Sequence, residues 1–261
     1  MNPFAGGRPR IGMGDGHEEP PMQRTAIVVG AGITGVAAAL NLVRDGWAVT
    51  LVDRLAPGDP GQTSYGNAGL LARGSVAPVQ APGLILRAPR MLLDPDGPLF
   101  LRPTYLPRLL PWLVPFLRNG AMARLQRIVP AIFALTRDTV AAHRDLAAGG
   151  EAAGLISAGA YAHLFRDRAA FAGDAVAFGL KAAQGLTWTE RPAAEIDPAL
   201  SPAYGFAAVM PDHGWIADPG AYVAALARAV AAAGGRIVAA EVRDIRPGPE
   251  GVDVATDAGP L

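Results

Sequence analysis

Cysteine is absent from this 261-residue chain. That excludes disulfides, thiolate-held zinc or iron–sulfur centres, a thiol nucleophile and any cysteine-linked cofactor, so electron transfer would need a borrowed redox group. Histidine is scarce. His17, His143, His163 and His213 are scattered without metal-ligand spacing, and no metal site is expected. A surplus of one charge is also missing. Lys plus Arg and Asp plus Glu number 23 each, so no net field recruits nucleic acid or an acidic membrane, and the expected partner is a small molecule. No apolar run reaches the roughly 18 residues of a spanning helix; the nearest, LLPWLVPFL at 109–117, is cut by Pro111 and Pro115. The expectation is a cytoplasmic protein, either soluble or peripheral on the inner face of a membrane.

What is plentiful is apolar and small. Hydrophobic residues make up 51% of the chain, enough for one large domain or two small ones. Residues 1–24, rich in Gly, Pro and charge, read as a disordered tail without the apolar core of a signal peptide. Met22 offers an alternative start within it.

Residues 26–29 are continuously apolar, the pattern of a strand buried on both faces in a parallel sheet. The run ends in Gly30-Ala31-Gly32-Ile33-Thr34-Gly35. In a GxGxxG elbow the first glycine permits the tight turn and the second lets the backbone approach a pyrophosphate. The third lets the following helix lie close on the strand, and the phosphate rests on free amides at the helix N-terminus. A helix over about 32–45 puts Val36, Ala39, Leu40 and Val43 on one face and stops at Gly46. A second strand over 48–52 follows, and Asp53 at its end can accept hydrogen bonds from a ribose hydroxyl. Arg54 would suit a 2′-phosphate, but Asp53 would repel one.

A continuous Rossmann domain should go on from Asp53 through another helix to a third strand within about thirty residues. Here Pro57, Gly58, Pro60 and Gly61 intervene, then Thr63-Ser64-Tyr65-Gly66-Asn67-Ala68-Gly69. A helix-then-strand pattern returns only at Gly234-Gly235-Arg236-Ile237-Val238-Ala239-Ala240-Glu241-Val242. With these motifs, with Arg102-Pro103 leading into Leu109-Leu110-Pro111-Trp112-Leu113, and with Trp215-Ile216-Ala217-Asp218-Pro219, the sequence resembles a known family. It is similar to the FAD-dependent amino-acid oxidoreductases of the D-amino-acid oxidase/glycine oxidase superfamily, and within it to the D-amino-acid dehydrogenase branch of the small-subunit type.

That resemblance covers nearly all of residues 25–260. It implies an α/β fold, a Rossmann-like FAD-binding domain with a parallel sheet and an inserted α+β substrate domain. The expected division is 25–75 and 211–261 for the FAD-binding domain and 76–210 for the insertion. The implied cofactor is FAD, held by Gly30, Ala31, Gly32, Ile33, Thr34, Gly35, Asp53, Arg54, Thr63, Ser64, Asn67, Ala68, Gly69, Leu70 and the backbone of Val242. The implied reaction oxidises an amino acid to an imino acid, which water converts to an oxo acid and ammonia. Substrate and electron acceptor stay open, and no catalytic side chain is assigned. Arg73 is the one candidate for the substrate carboxylate.

Within the insertion, residues 159–165 and 204–209 read as strands, and Ile132, Leu135, Thr139, His143 and Leu146 as one helical face. His143 reads as structural, His163 as facing either core or substrate, and His213 as a loop residue. Asp218-Pro219 reads as the start of a helix. The segment 101–119 has two readings: a packed, proline-segmented helical region, which is favoured, or an edge that meets a membrane or an electron acceptor. Residues 251–261 read as the first arm of a β-hairpin without its partner, the mark of a fragment or an incomplete gene, whose unpaired strand would invite aggregation or pairing with a C-terminal partner chain. An NAD(P)-dependent reductase and an inactive nucleotide-binding fragment are the alternatives.

Overall fold

The structure is a computed structural model describing residues 24–78, 92, 100, 102–249 and 251–261. Apart from Arg24, the expected N-terminal tail lies outside the described residues.

Three parallel strands form the first sheet, in the order β1 (Thr25–Val29), β2 (Ala48–Asp53) and β7 (Arg236–Ala239). Helix α1 (Ile33–Arg44) joins β1 to β2 and buries Val36, Ala39 and Leu40. It stops where Gly46 takes a φ of 83°, a conformation that costs glycine little. The third strand is displaced far along the chain, as the missing repeat after Asp53 requires, and pairs residue for residue with β2. It is delivered by helix α7 (Pro219–Ala232), which starts where the Asp218 carboxylate accepts the Ala221 N–H at 2.9 Å. Tyr222, Val223, Leu226 and Val230 on α7 pack with Leu40, Leu51 and Val36 into the main apolar core. Each such side chain contributes on the order of 1.5–3 kcal/mol by leaving water.

The second sheet is antiparallel. Strand β6 (Phe206–Ile216) pairs with β4 (Ile156–Phe165), with β3 (Leu70–Leu71) and with β5 (Thr189–Pro192). Its register slips between Gly159 and Tyr161, opposite Asp212, whose φ of 59° marks the bulge. Residues 210 and 211, the expected boundary, both lie in β6, a single strand that leads on to α7. Helices α5 (Arg168–Gly173) and α6 (Ala175–Ala182) set Phe171 and Phe178 against Phe165 and His163 of this sheet.

Three expectations are corrected. The helical face running from Ile132 to Leu146 is broken: α3 (Met122–Thr136) and α4 (Thr139–Ala147) are separate helices, and Leu135 is 86% exposed. Pro111 and Pro115 do not cut their segment, which is helix α2 (Leu106–Asn119) throughout. The bonds they cannot donate would have gone to the carbonyls of Pro107 and Pro111, so all the losses fall on one exposed stripe where water can serve the carbonyls. Finally, β9 (Gly251–Thr256) has neighbours on both sides, β8 (Val242–Gly248) and β10 (Gly259–Pro260). The short β8–β9 turn supplies the partner that the hydrophobic pattern alone had placed beyond residue 261.

Candidate cofactor site

Gly30 turns the chain out of β1 with a φ of 99° while its N–H stays in the sheet, donating to the Val52 carbonyl at 2.8 Å. A side chain on Gly35 would run into the Gly30 carbonyl oxygen, so α1 lies close to the strand, as the third glycine of the elbow requires. Asp53 reaches back across this turn. Its Oδ2 accepts the Ala31 N–H at 2.7 Å and the Gln62 amide at 3.2 Å, and its Oδ1 accepts the Leu55 N–H at 2.9 Å. A carboxylate has about four acceptor sites, so one remains for an incoming hydroxyl. Gln62 also accepts the Gly58 N–H at 3.0 Å, bracing the loop that carries Asp53's neighbours. Sequence reasoning missed Gln62, since only the folded loop brings its amide to Asp53.

Ser64 lies over the start of α1. Its Oγ accepts the Ile33 N–H at 3.0 Å, leaving the hydroxyl proton free to donate, and a side chain on Gly32 would meet that oxygen at 3.1 Å. The first-turn amides of Thr34 and Gly35 find no acceptor among the described residues. Bare amides, a hydroxyl donor and the positive end of a helix together attract an anion.

A cleft opens on either side of this elbow. One, of about 230 Å³, is lined by Gly30, Asp53, Arg54 and Val242 with Val29, Val52, Ala240 and Glu241. The other, of about 170 Å³, is lined by Ile33, Ser64, Asn67, Gly69 and Leu70, with His143, Ile216, Pro219 and Tyr222 among its walls. At its edge Asn67 Oδ1 accepts the Gly69 N–H at 2.8 Å, and the Gly69 carbonyl accepts the Ile216 N–H at 2.7 Å. Gly69 has a φ of 68°, and any side chain there would strike the Ile216 carbonyl, so only glycine fits. Two clefts flanking an anion-seeking elbow, with a carboxylate in one, suit an extended dinucleotide. The structure does not gather every expected residue. Thr63 and Ala68 are exposed and line neither cleft, and Thr34 lines a third depression with Asn41 and Arg44 that shares Ile33 and His143 with the second cleft.

His143 forms part of the second cleft's wall, its Nδ1 2.9 Å from the Tyr222 hydroxyl. Burial lowers the His143 pKa and raises Tyr222 to about 12, so the pair is neutral near pH 7 and braces α4 against α7. His213 is not a loop residue. It is buried in β6, with Nε2 accepting the Gly74 N–H at 2.9 Å and Nδ1 lying 2.7 Å from the Pro211 carbonyl. Those two bonds place its proton on Nδ1. Arg73, the candidate for a substrate carboxylate, pairs instead with Asp212 at 3.2 Å and lies over the Phe133 ring. His163 accepts from Lys181 at 2.8 Å, which turns it toward the core beneath α6. Among the described residues no three His, Asp or Glu side chains converge as metal ligands.

The family described as FAD-dependent oxidoreductase matches residues 25–260. The chain belongs to that family. It is 38% identical over 246 residues to a D-amino-acid oxidase of Bradyrhizobium diazoefficiens, covering 92% of this chain and 58% of that protein. To D-amino acid dehydrogenase 2 of Ralstonia nicotianae it is 36% identical over 182 residues, covering 68% and 43%. Among solved structures, glycine oxidase from Geobacillus kaustophilus superposes with a TM-score of 0.56 at 20% identity, over 91% of this chain and 52% of that one. The L-amino acid deaminase of Proteus vulgaris does so with a TM-score of 0.54 at 17% identity, over 95% and 48%. At such identities these neighbours share the fold of this FAD-dependent family. The chain spans about half the length of the relatives it matches.

Proposed function

We propose that the chain takes part in FAD-dependent oxidation of an amino acid, with FAD extended across the elbow. The observation that carries this reading is the Asp53 carboxylate lying across Gly30-Ala31-Gly32 with a cleft on either side. The amides of Thr34 and Gly35 and the Ser64 hydroxyl would hold the pyrophosphate. Asp53 would take the adenosine ribose and the Val242 backbone the adenine, while the Asn67–Gly69 turn and Leu70 would lie along the flavin. When bound, FAD supplies the hydride acceptor for the substrate Cα–H bond. The protein then has to position the amino acid and exclude water, and the imino acid product hydrolyses to an oxo acid and ammonia. The names of the relatives, D-amino-acid oxidase and D-amino acid dehydrogenase, support an amino acid as substrate. A further chain supplying substrate-binding groups belongs to the same proposal, as does a peripheral membrane contact, for which helix α2 gives the support.

Reconstitution with FAD tests the reading. The purified chain should show a flavin band near about 450 nm, a property of flavins in general. Asp53→Ala should weaken FAD binding about tenfold, the value of one charge-assisted hydrogen bond, measured by quenching of flavin fluorescence. Binding of a nicotinamide dinucleotide without flavin would overturn the proposal in favour of an NAD(P)-dependent reductase.

A further inference from the structure

Residues 97–137 contain Arg102, Arg108, Arg118, Arg124, Arg127 and Arg137 and not one Asp or Glu, in a chain whose charges balance only when taken as a whole. Helix α2 lies in this stretch. At 3.6 residues per turn, Leu106, Leu109, Leu110, Trp112, Leu113, Val114, Phe116 and Leu117 make one broad apolar face. Arg108 borders it beside Trp112, and Arg118 borders it beside Val114. The prolines occupy the opposite, hydrated side.

Among the described residues this face is at most partly covered, with Leu109, Leu113, Phe116 and Leu117 half-buried and the rest exposed. None of the residues of α2 is buried, which corrects the favoured expectation of a packed helical region. Trp112 is 59% exposed and stacks on Phe116 at 4.7 Å. At the N-terminal end of the helix, Phe100, Arg102, Thr104, Tyr105 and Arg108 line a groove of about 620 Å³. Guanidinium groups, a hydroxyl and aromatic rings around one groove can hold a phosphate head group while its apolar part follows the helix face.

We propose that α2 lies in the plane of a membrane surface bearing anionic lipids, with the groove around Arg102 and Arg108 taking a lipid phosphate. The inference rests on the peripheral-contact reading and gives it residues and a lipid class. The geometry is that of an interfacial helix: apolar residues and an aromatic pair on one side, and arginines at both borders whose stems lie along the surface while the heads reach phosphate. The charge pattern selects this occupant. A neutral apolar partner would need no acid-free run of arginines, whereas each cation near an anionic leaflet adds about a fivefold gain in binding.

Co-sedimentation of the 261-residue chain, free of FAD, with phosphatidylcholine vesicles containing or lacking phosphatidylglycerol tests it apart from any flavin result. The chain should bind the anionic vesicles and release them as salt rises. Arg102→Glu with Arg108→Glu should weaken binding at least about 25-fold, and Trp112→Ala should weaken it on both kinds of vesicle. Arg191→Glu with Arg246→Glu makes the same change of net charge at exposed sites elsewhere and should leave binding intact, circular dichroism confirming that each variant is folded. Equal binding with and without phosphatidylglycerol, an equal loss in the distant pair, or failure to sediment overturns the proposal. So does a concentration-dependent dimer that hides α2 and ignores vesicles.

Discussion

Asp53 and Lys181 each set a charge against an apolar interior, one in each half of the molecule. Asp53 stands at the end of β2 and accepts from the Ala31 and Leu55 amides and the Gln62 side chain. Lys181, the sole lysine of the chain, is 5% exposed and donates to His163, with Met210 and the Phe178 ring as its other neighbours. Asp174 opposes the loss of its charge but forms no ion pair with it. The first arrangement is local and preorganised: main-chain donors close to Asp53 in space hold it open toward a ligand. The second depends on packing, because a buried ammonium facing a neutral imidazole gains less than it loses on leaving water. Order at the elbow therefore comes from the backbone, and order beneath α6 comes from side chains that meet only after folding.

The largest test of this contrast uses glycines. Gly35→Val should cost about 3 kcal/mol, since the new side chain must displace the Gly30 carbonyl and with it the turn. Gly179→Ala lies in α6 with nothing within 4 Å of the added carbon and should stabilise by about 0.5–1 kcal/mol. Urea denaturation of both variants measures the difference. Similar costs at the two positions would show that the elbow is no more tightly built than the surface of the second half.

A middle-sized effect should come from acid. The His163 pKa falls from 6.5 to about 4, through burial first and then repulsion from Lys181 and His213. The unfolded chain therefore binds more protons at that site between these values, so stability contributed by His163 is complete above about pH 6.5 and drains away as pH falls toward 4. His163 is only partly buried, so solvent screening limits the loss to roughly 1–2 kcal/mol. Lys181→Met, which keeps the length of the side chain and removes its charge, should raise the His163 pKa and flatten the slope. Tyr161, on the same strand, and Phe178 of α6 face the same imidazole and stay in place, and His213 lies beyond Tyr161. Urea midpoints across that pH range decide the matter, and an unchanged slope in the variant would detach the acid response from this pair.

How much of this was legible in the sequence follows the same division. Gly30, Gly35, Gly46 and Asp53 obey rules of spacing and backbone conformation that operate over a few residues, so β1, α1 and β2 stand where the pattern put them. The displaced β7 was legible too, because the chain after Asp53 lacks the repeat. The ladder of β8 and β9 was not, since pairing across a short turn depends on register, which alternation in a single arm does not express. Nor was the role of His213, whose partner Gly74 lies 139 residues away. Continuity of α2 through Pro111 and Pro115 was hidden for another reason: proline frequency argues for a break, and only the fourfold spacing that lines up the lost bonds on one wet face makes it tolerable.

The smallest test compares two helix caps. Asp218 and Asp167 each accept a backbone N–H three residues on, at 2.9 and 2.7 Å, so the local bonds are nearly identical. Their settings differ. Asp218 starts α7, which buries Tyr222, Val223, Leu226 and Val230 against the elbow core, while Asp167 starts the six-residue α5, which has no buried residue. Removing a cap costs about 1 kcal/mol when the helix melts only with the whole protein. A short helix with no fully buried residue, held chiefly by the half-buried Phe171, can instead fray on its own, leaving the global transition where it was. Asp218→Ala should therefore lower global stability by about 1 kcal/mol, and Asp167→Ala by no more than a few tenths. Amide exchange should locate the second effect in residues 168–173 alone. If Asp167→Ala moved the global midpoint as far as Asp218→Ala, α5 would be as tightly coupled to folding as α7, and the division between the two halves would fail at its weakest helix.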